Sequence, residues 1–192
     1  MIPAYELGLS EKVVLEILKN VHKIMSELSD KFLKPYGLTF SNKNLSEIIG
    51  KVIENKAAQI LTKELGYKVI SASSDSDPDL YFTKTKTPLE VKVTSTHTGW
   101  TGGEFSKRPF NYLLVSWNPK SDFSDFFVAY THLTEDDWES RMKKGAEYYG
   151  PLFSAKRLLN KNDYIVFIGS LGATKRGAVR IEHHSIQQEI LG

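Results

Sequence analysis

Apolar residues along the first third of the chain recur at intervals of three and four, the period of a helix that buries one face. Across residues 10–32 the stripe is Val14, Ile17, Leu18, Val21, Ile24, Met25 and Leu28, with Ser10 placed to cap its start. A second stripe across residues 45–65 holds Ile49, Val52, Ile53, Ala57, Ile60, Leu61 and Leu65, with Ser46 as its cap and Gly66 as its stop. Beyond Gly66 the pattern changes to short β-rich runs bounded by turn formers, which predicts strands. These are residues 67–72, 80–83, 89–94, 112–117, 126–133 and 164–169, with 178–182 pairing back as an edge. Thr134, with Asp137 three residues later, resembles a capping box and predicts a helix from about 135 to 148, ended by Gly150 and Pro151. The closing SIQQEILG reads as a short helical tail.

Runs 80–83 and 89–94 are separated by Lys84, Thr85, Lys86, Thr87 and Pro88, which favour a turn, so the pair reads as a hairpin. With Thr83 facing Pro88, Tyr81 stands opposite Glu90 and Asp79 opposite Lys92. Side chains alternate along a strand, which puts Asp79, Glu90, Lys92 and Thr94 on one face and Leu80, Phe82, Leu89, Val91 and Val93 on the other. Two carboxylates held close on a rigid sheet repel each other, and a divalent cation makes such a pair tolerable. A lysine two residues from Glu90 reaches the same ligand.

Pro78-Asp79, ten further residues and then Glu90-Val91-Lys92 resemble the signature of the PD-(D/E)XK nucleases, a superfamily that includes many type II restriction endonucleases. The helix over 45–65 followed by three strands is similar to the start of that family's core. The resemblance implies an α/β fold with a restriction-endonuclease-like core, a central mixed β-sheet flanked by helices. It also implies a Mg²⁺ ion held by Asp79, Glu90 and the backbone carbonyl of Val91, with Lys92 orienting the attacking water. In many members an acid on the preceding helix completes the metal site. Glu54 fits that position best, and Glu47, one heptad earlier, is the alternative. Cleavage products with 5′-phosphate and 3′-hydroxyl ends are implied by the resemblance alone. Many members place a helix between the third and fourth core strands, whereas the glycines after residue 97 and Pro109 argue against a long one here.

That segment, THTGWTGGEFSKRPFN over residues 96–111, leaves directly from the strand bearing Lys92. Its glycines let backbone and side chains approach a phosphate or base edge, and Lys and Arg are common readers of guanine. Lys107 and Arg108 are the foremost DNA-contact candidates, followed by His97, Trp100 and Thr101; an ordinary surface loop is the competing reading. Lys175 and Arg176 sit at a predicted hairpin tip. His183 and His184 are adjacent, so on a strand they point to opposite sides and do not form a metal pair.

At 192 residues and 41% apolar content the chain supports one domain. Residues 1–44 form a helical segment, 45–95 the catalytic core, and 96–192 the sheet extension with DNA-contact loops. A net charge of +2 excludes a uniformly basic nucleic-acid coat but permits local positive charge around a metal site. The absence of cysteine excludes disulfide and thiolate chemistry. With no signal-peptide pattern and no membrane-length apolar run, a cytoplasmic protein is expected. The foremost expectation is a Mg²⁺-dependent, sequence-specific double-stranded DNA endonuclease acting as a homodimer. The alternatives are a structure-specific junction or repair nuclease and a catalytically idle DNA-binding module. A purely structural salt-bridge lattice on an exposed sheet face competes for Glu90 and Lys92.

Overall fold

The computed structural model describes residues 2–74, 76–142, 148–174 and 177–187. Helix α1 (Glu11–Leu28) begins at Ser10, whose hydroxyl accepts the Val13 N–H at 3.3 Å, and runs on into a π-helical turn, Ser29–Leu33. Helix α2 (Asn42–Leu65) starts earlier than its apolar period suggests, because Ser41 rather than Ser46 is the cap. Ser41 is extended and accepts the Asn44 N–H at 3.2 Å. Ser46 lies inside the helix, donates back to the Asn42 carbonyl at 2.8 Å and accepts the buried Trp117 indole N–H at 2.9 Å. Gly66 closes α2 with φ +68°, a conformation that favours glycine.

The strands are β1 (Val69–Ser71), β2 (Leu80–Phe82), β3 (Thr87–Thr94), β4 (Gly99–Thr101), β5 (Phe110–Trp117) and β6 (Asp125–Leu133). After them come β7 (Glu139–Met142), β8 (Tyr148–Ser154), the short helix α3 (Ala155–Leu159), β9 (Tyr164–Ile168), β10 (Ser170–Ala173), β11 (Val179–Glu182) and β12 (His184–Ser185). The central sheet runs β1-β2-β3-β5-β6, and the free edge of β6 pairs with both β9 and β12. It is mixed: β3 and β5 are parallel, and the other pairs are antiparallel.

Both faces of the middle strands are covered, so β5 is buried along its whole length. Leu113, Val115 and Trp117 of β5 join Phe126, Val128 and Tyr130 of β6 beneath α1 and α2. Tyr112, Leu114, Phe127 and Ala129 point the other way and pack with Trp100, Phe105, Phe153 and Leu158. Strict alternation on two adjacent strands thus feeds two separate cores.

The second face is where expectation and structure part. Helices flank the sheet on one side; the other side is covered by a small sheet, β4-β8-β7, together with α3. The helix predicted over 135–148 is a single 3₁₀ turn, Glu135–Asp137, followed by β7, with residues 143–147 outside the described part. The Thr134–Asp137 capping box is present. Trp138 stops propagation: its ring is buried 5.5 Å from Tyr112 and 5.9 Å from Phe153, and the chain leaves it extended. The connection from β3 to β5 carries β4 and a 3₁₀ turn, Glu104–Lys107, in place of a long helix. Lys175 and Arg176 and residues 188–192 of the closing tail lie outside the described residues. Among the described residues no helix is long and apolar enough to cross a membrane.

Candidate active site

The β2–β3 hairpin pairs Phe82 with Thr87, Tyr81 with Pro88 and Leu80 with Leu89. This lies two positions from the pairing of Thr83 with Pro88. Lys86, at φ +54°, closes a turn of the same length placed one residue earlier, and Thr87 already belongs to β3, buried and donating to the Thr85 carbonyl at 3.3 Å. A slip of two preserves which side each residue faces. It also carries Asp79 toward Glu90 rather than toward Lys92. The apolar partners Leu80, Phe82, Leu89 and Val91 enter the core under α2 as the alternation demands.

Asp79, just before β2, is fixed by β3: its Oδ2 accepts the Val91 N–H at 2.8 Å, and its own N–H approaches Glu90 Oε2 at 3.5 Å. Glu90 Oε1 accepts from Lys92 Nζ at 2.6 Å. Glu90 is 4% exposed, so this pair lies within a covered site and not on an exposed sheet face. Burial pushes the Glu90 carboxyl up from its ordinary range; the Lys92 charge opposes that, and the Asp79 charge adds to it.

The fourth residue arrives from α2. Glu54 is buried and paired with Lys51 Nζ at 2.7 Å. Its carboxyl is pushed up to about 7, first by burial and also by the neighbouring Asp79 charge, against the pull of Lys51. Glu54, Asp79, Val91 and Lys92 line one cleft of about 1040 Å³, with Glu47, Thr94 and Thr101 also in its wall. Glu47 is largely exposed, 3.9 Å from Lys43. Three carboxylates against the ammonium groups of Lys51 and Lys92 leave this group one net negative charge when all are ionised. Beside it, Tyr112 pairs with Glu90 across the parallel ladder; its phenol is wholly buried and has no hydrogen-bond partner among the described residues.

The DNA-contact candidates divide. Thr101 lines the cleft, and exposed Lys107 lines a neighbouring cavity. Arg108, also exposed, lies over the rings of Phe105 and Phe110 at 4.9 and 5.5 Å. His97 is exposed, with a ring nitrogen 3.1 Å from the Ile181 carbonyl. Trp100 corrects the sequence reading. It is 1% exposed, and its indole N–H donates to the Val115 carbonyl at 2.8 Å, so it belongs to the second core and has no surface to offer a ligand. Lys51 is the cleft residue that sequence reasoning passed over; its signal was the three-residue spacing to Glu54 on one helix face.

Among the described residues no group of three or more His, Cys, Asp or Glu side chains stands ready to hold a metal. Mg²⁺ makes a smaller demand, since it is commonly held by one or two carboxylates and keeps several waters. Asp79 and Glu90 supply hard oxygen donors of that kind beside an open cleft. The residues present fit the ion. Neither a protein-family profile nor any curated protein matches this chain.

Proposed function

We propose that this chain is a Mg²⁺-dependent endonuclease of the PD-(D/E)XK kind that hydrolyses phosphodiester bonds of double-stranded DNA at a specific sequence, leaving 5′-phosphate ends. The observation that carries this reading is the convergence of Glu54, Asp79 and Lys92 on one cleft from three separate stretches of chain, with Glu90 bonded to Lys92 behind them. Asp79 and Glu90, with the Val91 carbonyl, would hold the ion. When bound, Mg²⁺ would polarise the scissile phosphate and offset the charge that develops on it.

The protein's own groups do the rest. Val91 N–H fixes the Asp79 carboxylate, so its orientation does not depend on the ligand. Glu90 holds the Lys92 ammonium at the cleft wall, where it orients the attacking water and meets charge on the pentacovalent phosphorus oxygens. Lys51 pins Glu54 in the cleft lining near Asp79, as a further polar anchor for water. Two protomers related by a twofold axis would present one such cleft to each strand.

Purified protein is incubated with plasmid DNA and Mg²⁺, and the products are resolved and end-sequenced. Discrete fragments with one shared terminal sequence are expected. A smear, or cutting confined to four-way junctions, refutes sequence specificity; DNA binding without any cutting refutes the catalytic assignment. Asp79→Ala and Lys92→Ala are each expected to slow cutting by about 100-fold or more while the fold and most DNA affinity remain. Unchanged turnover in either variant overturns its role. Light scattering that finds a monomer both free and on DNA removes the twofold arrangement.

A further inference from the structure

Next to the acidic cleft lies a second cavity, of about 620 Å³, that the proposed cleavage chemistry does not use. The two share a wall. Thr101 lines the cleft, while Gly102 and Gly103, the next two residues, line the cavity, and a side-chain carbon on Gly103 would stand 4.0 Å from Lys92 Nζ. The cavity is built around missing side chains. A Cβ on Gly102 would meet the Trp138 ring at 2.8 Å, and one on Gly150 would meet the Gly102 carbonyl oxygen at 2.7 Å. Backbone therefore packs directly against the indole, which leaves the room beside it open.

Trp138 is 7% exposed, lines the cavity, and its indole N–H has no acceptor among the described residues. A buried donor left unpaired is costly, and a small shift of the ring would let an acceptor in the cavity reach it. The exposed carboxylates of Glu104 and Glu135 border the same space and accept from amino groups, and Lys107 adds a positive charge suited to a phosphate. A small open part of an indole, acceptors for exocyclic amines and a cation together match one nucleotide.

We propose that this cavity receives a single unstacked nucleobase of the substrate strand, near the bond that the acidic cleft cuts. The proposal rests on the nuclease reading for its placement, but binding of a nucleotide there does not depend on catalysis. The base enters beside the open part of Trp138, its amino group meets the glutamates, and its phosphate faces Lys107.

The probe is 2-aminopurine deoxyribonucleoside 5′-monophosphate, whose fluorescence is quenched by stacking. Wild-type protein is expected to quench it saturably, and unlabelled deoxynucleoside monophosphates are expected to compete. Ser140→Phe fills the cavity from an exposed rim position on β7 and is expected to weaken binding about tenfold or more while circular dichroism and melting stay unchanged. Absence of saturable quenching by wild type, or undiminished quenching by folded Ser140→Phe, overturns the proposal. Plasmid cutting is measured in parallel. Normal cutting without quenching removes the base pocket and leaves the nuclease; quenching that Ser140→Phe abolishes, without Mg²⁺-dependent cutting, leaves a nucleotide pocket and removes the nuclease.

Discussion

His183 ties the last part of the chain to β5, the neighbour of the strand that carries Glu90 and Lys92, and it should make the fold sensitive to mild acid. Its Nε2 lies 2.8 Å from Ser116 Oγ, and Ser116 donates its own hydroxyl proton to the Thr96 carbonyl at 2.9 Å. The hydroxyl is therefore the acceptor toward the ring, so neutral His183 carries its proton on Nε2. Charging the ring places a second N–H in a half-buried site with His97 edge-on at 4.7 Å. Burial first, and the His97 charge second, push the group down to about 4 from an ordinary 6.5, with Asp125 opposing. The unfolded chain thus takes up this proton near pH 6.5 and the folded chain only near pH 4. Between those values the unfolded state holds more protons, so stability falls as pH falls. The full displacement is worth about 3 kcal/mol, and partial exposure of the ring reduces the expected loss by pH 4.5 to about 2 kcal/mol. His183→Gln keeps an amide donor for Ser116 and does not titrate. Urea unfolding of both proteins at pH 7.5, 5.5 and 4.5 should show the wild type losing about 2 kcal/mol more than the variant over that range. Parallel stability curves, or an imidazole resonance of His183 titrating at pH 6.5 or above, would refute the reasoning.

Other perturbations test separate joints of the structure. Ser46→Ala strips the Trp117 indole N–H of its buried acceptor and should cost about 1–3 kcal/mol in urea unfolding, whereas loss of an ordinary exposed cap would be smaller and would leave Trp117 emission unchanged. Gly99→Ala should destabilise by more than about 2 kcal/mol, because Gly99 sits at φ +155° and its new methyl group would run into the Phe153 carbonyl oxygen of β8. Arg108→Ala should weaken DNA binding evenly across sequences and lower the slope of log K against log salt by about 1; an unaltered slope would place Arg108 away from the phosphates.

Much of the architecture was legible because burial leaves a period. The stripes of α1 and α2 have one buried face each, and the apolar runs of β5 and β6 are long enough to exclude most alternatives. The hairpin faces were legible for a related reason: alternation survives a two-residue slip, so Asp79, Glu90 and Lys92 share a side even though the pairing differs. What could not be read is what depends on distant partners. Strand β4 is three residues long and exists because β8 lies beside it, and β7 follows a good helix start because Trp138 finds a pocket between Tyr112 and Phe153. Ser46 looked like a cap because nothing near it in sequence announces Trp117, 71 residues away. Trp100 sits in a glycine-rich stretch that resembles an exposed loop, yet the carbonyl that fixes it comes from β5.

The opposing acids are anchored with very different firmness. Glu90 belongs to a strand hydrogen-bonded throughout residues 89–94 to the fully buried β5, while Asp79 precedes a strand paired only across Leu80–Phe82 and flanked by the equally brief β1. Thermal breathing of this domain should begin at β1 and β2, swinging Asp79 away while Glu90 and Lys92 stay still. Deuterium uptake should therefore be quickest along β1 and β2 and slowest along β5. Any ligand gripping both carboxylates would act as a clasp on the outer strands, narrowing that difference in uptake without rearranging the interior.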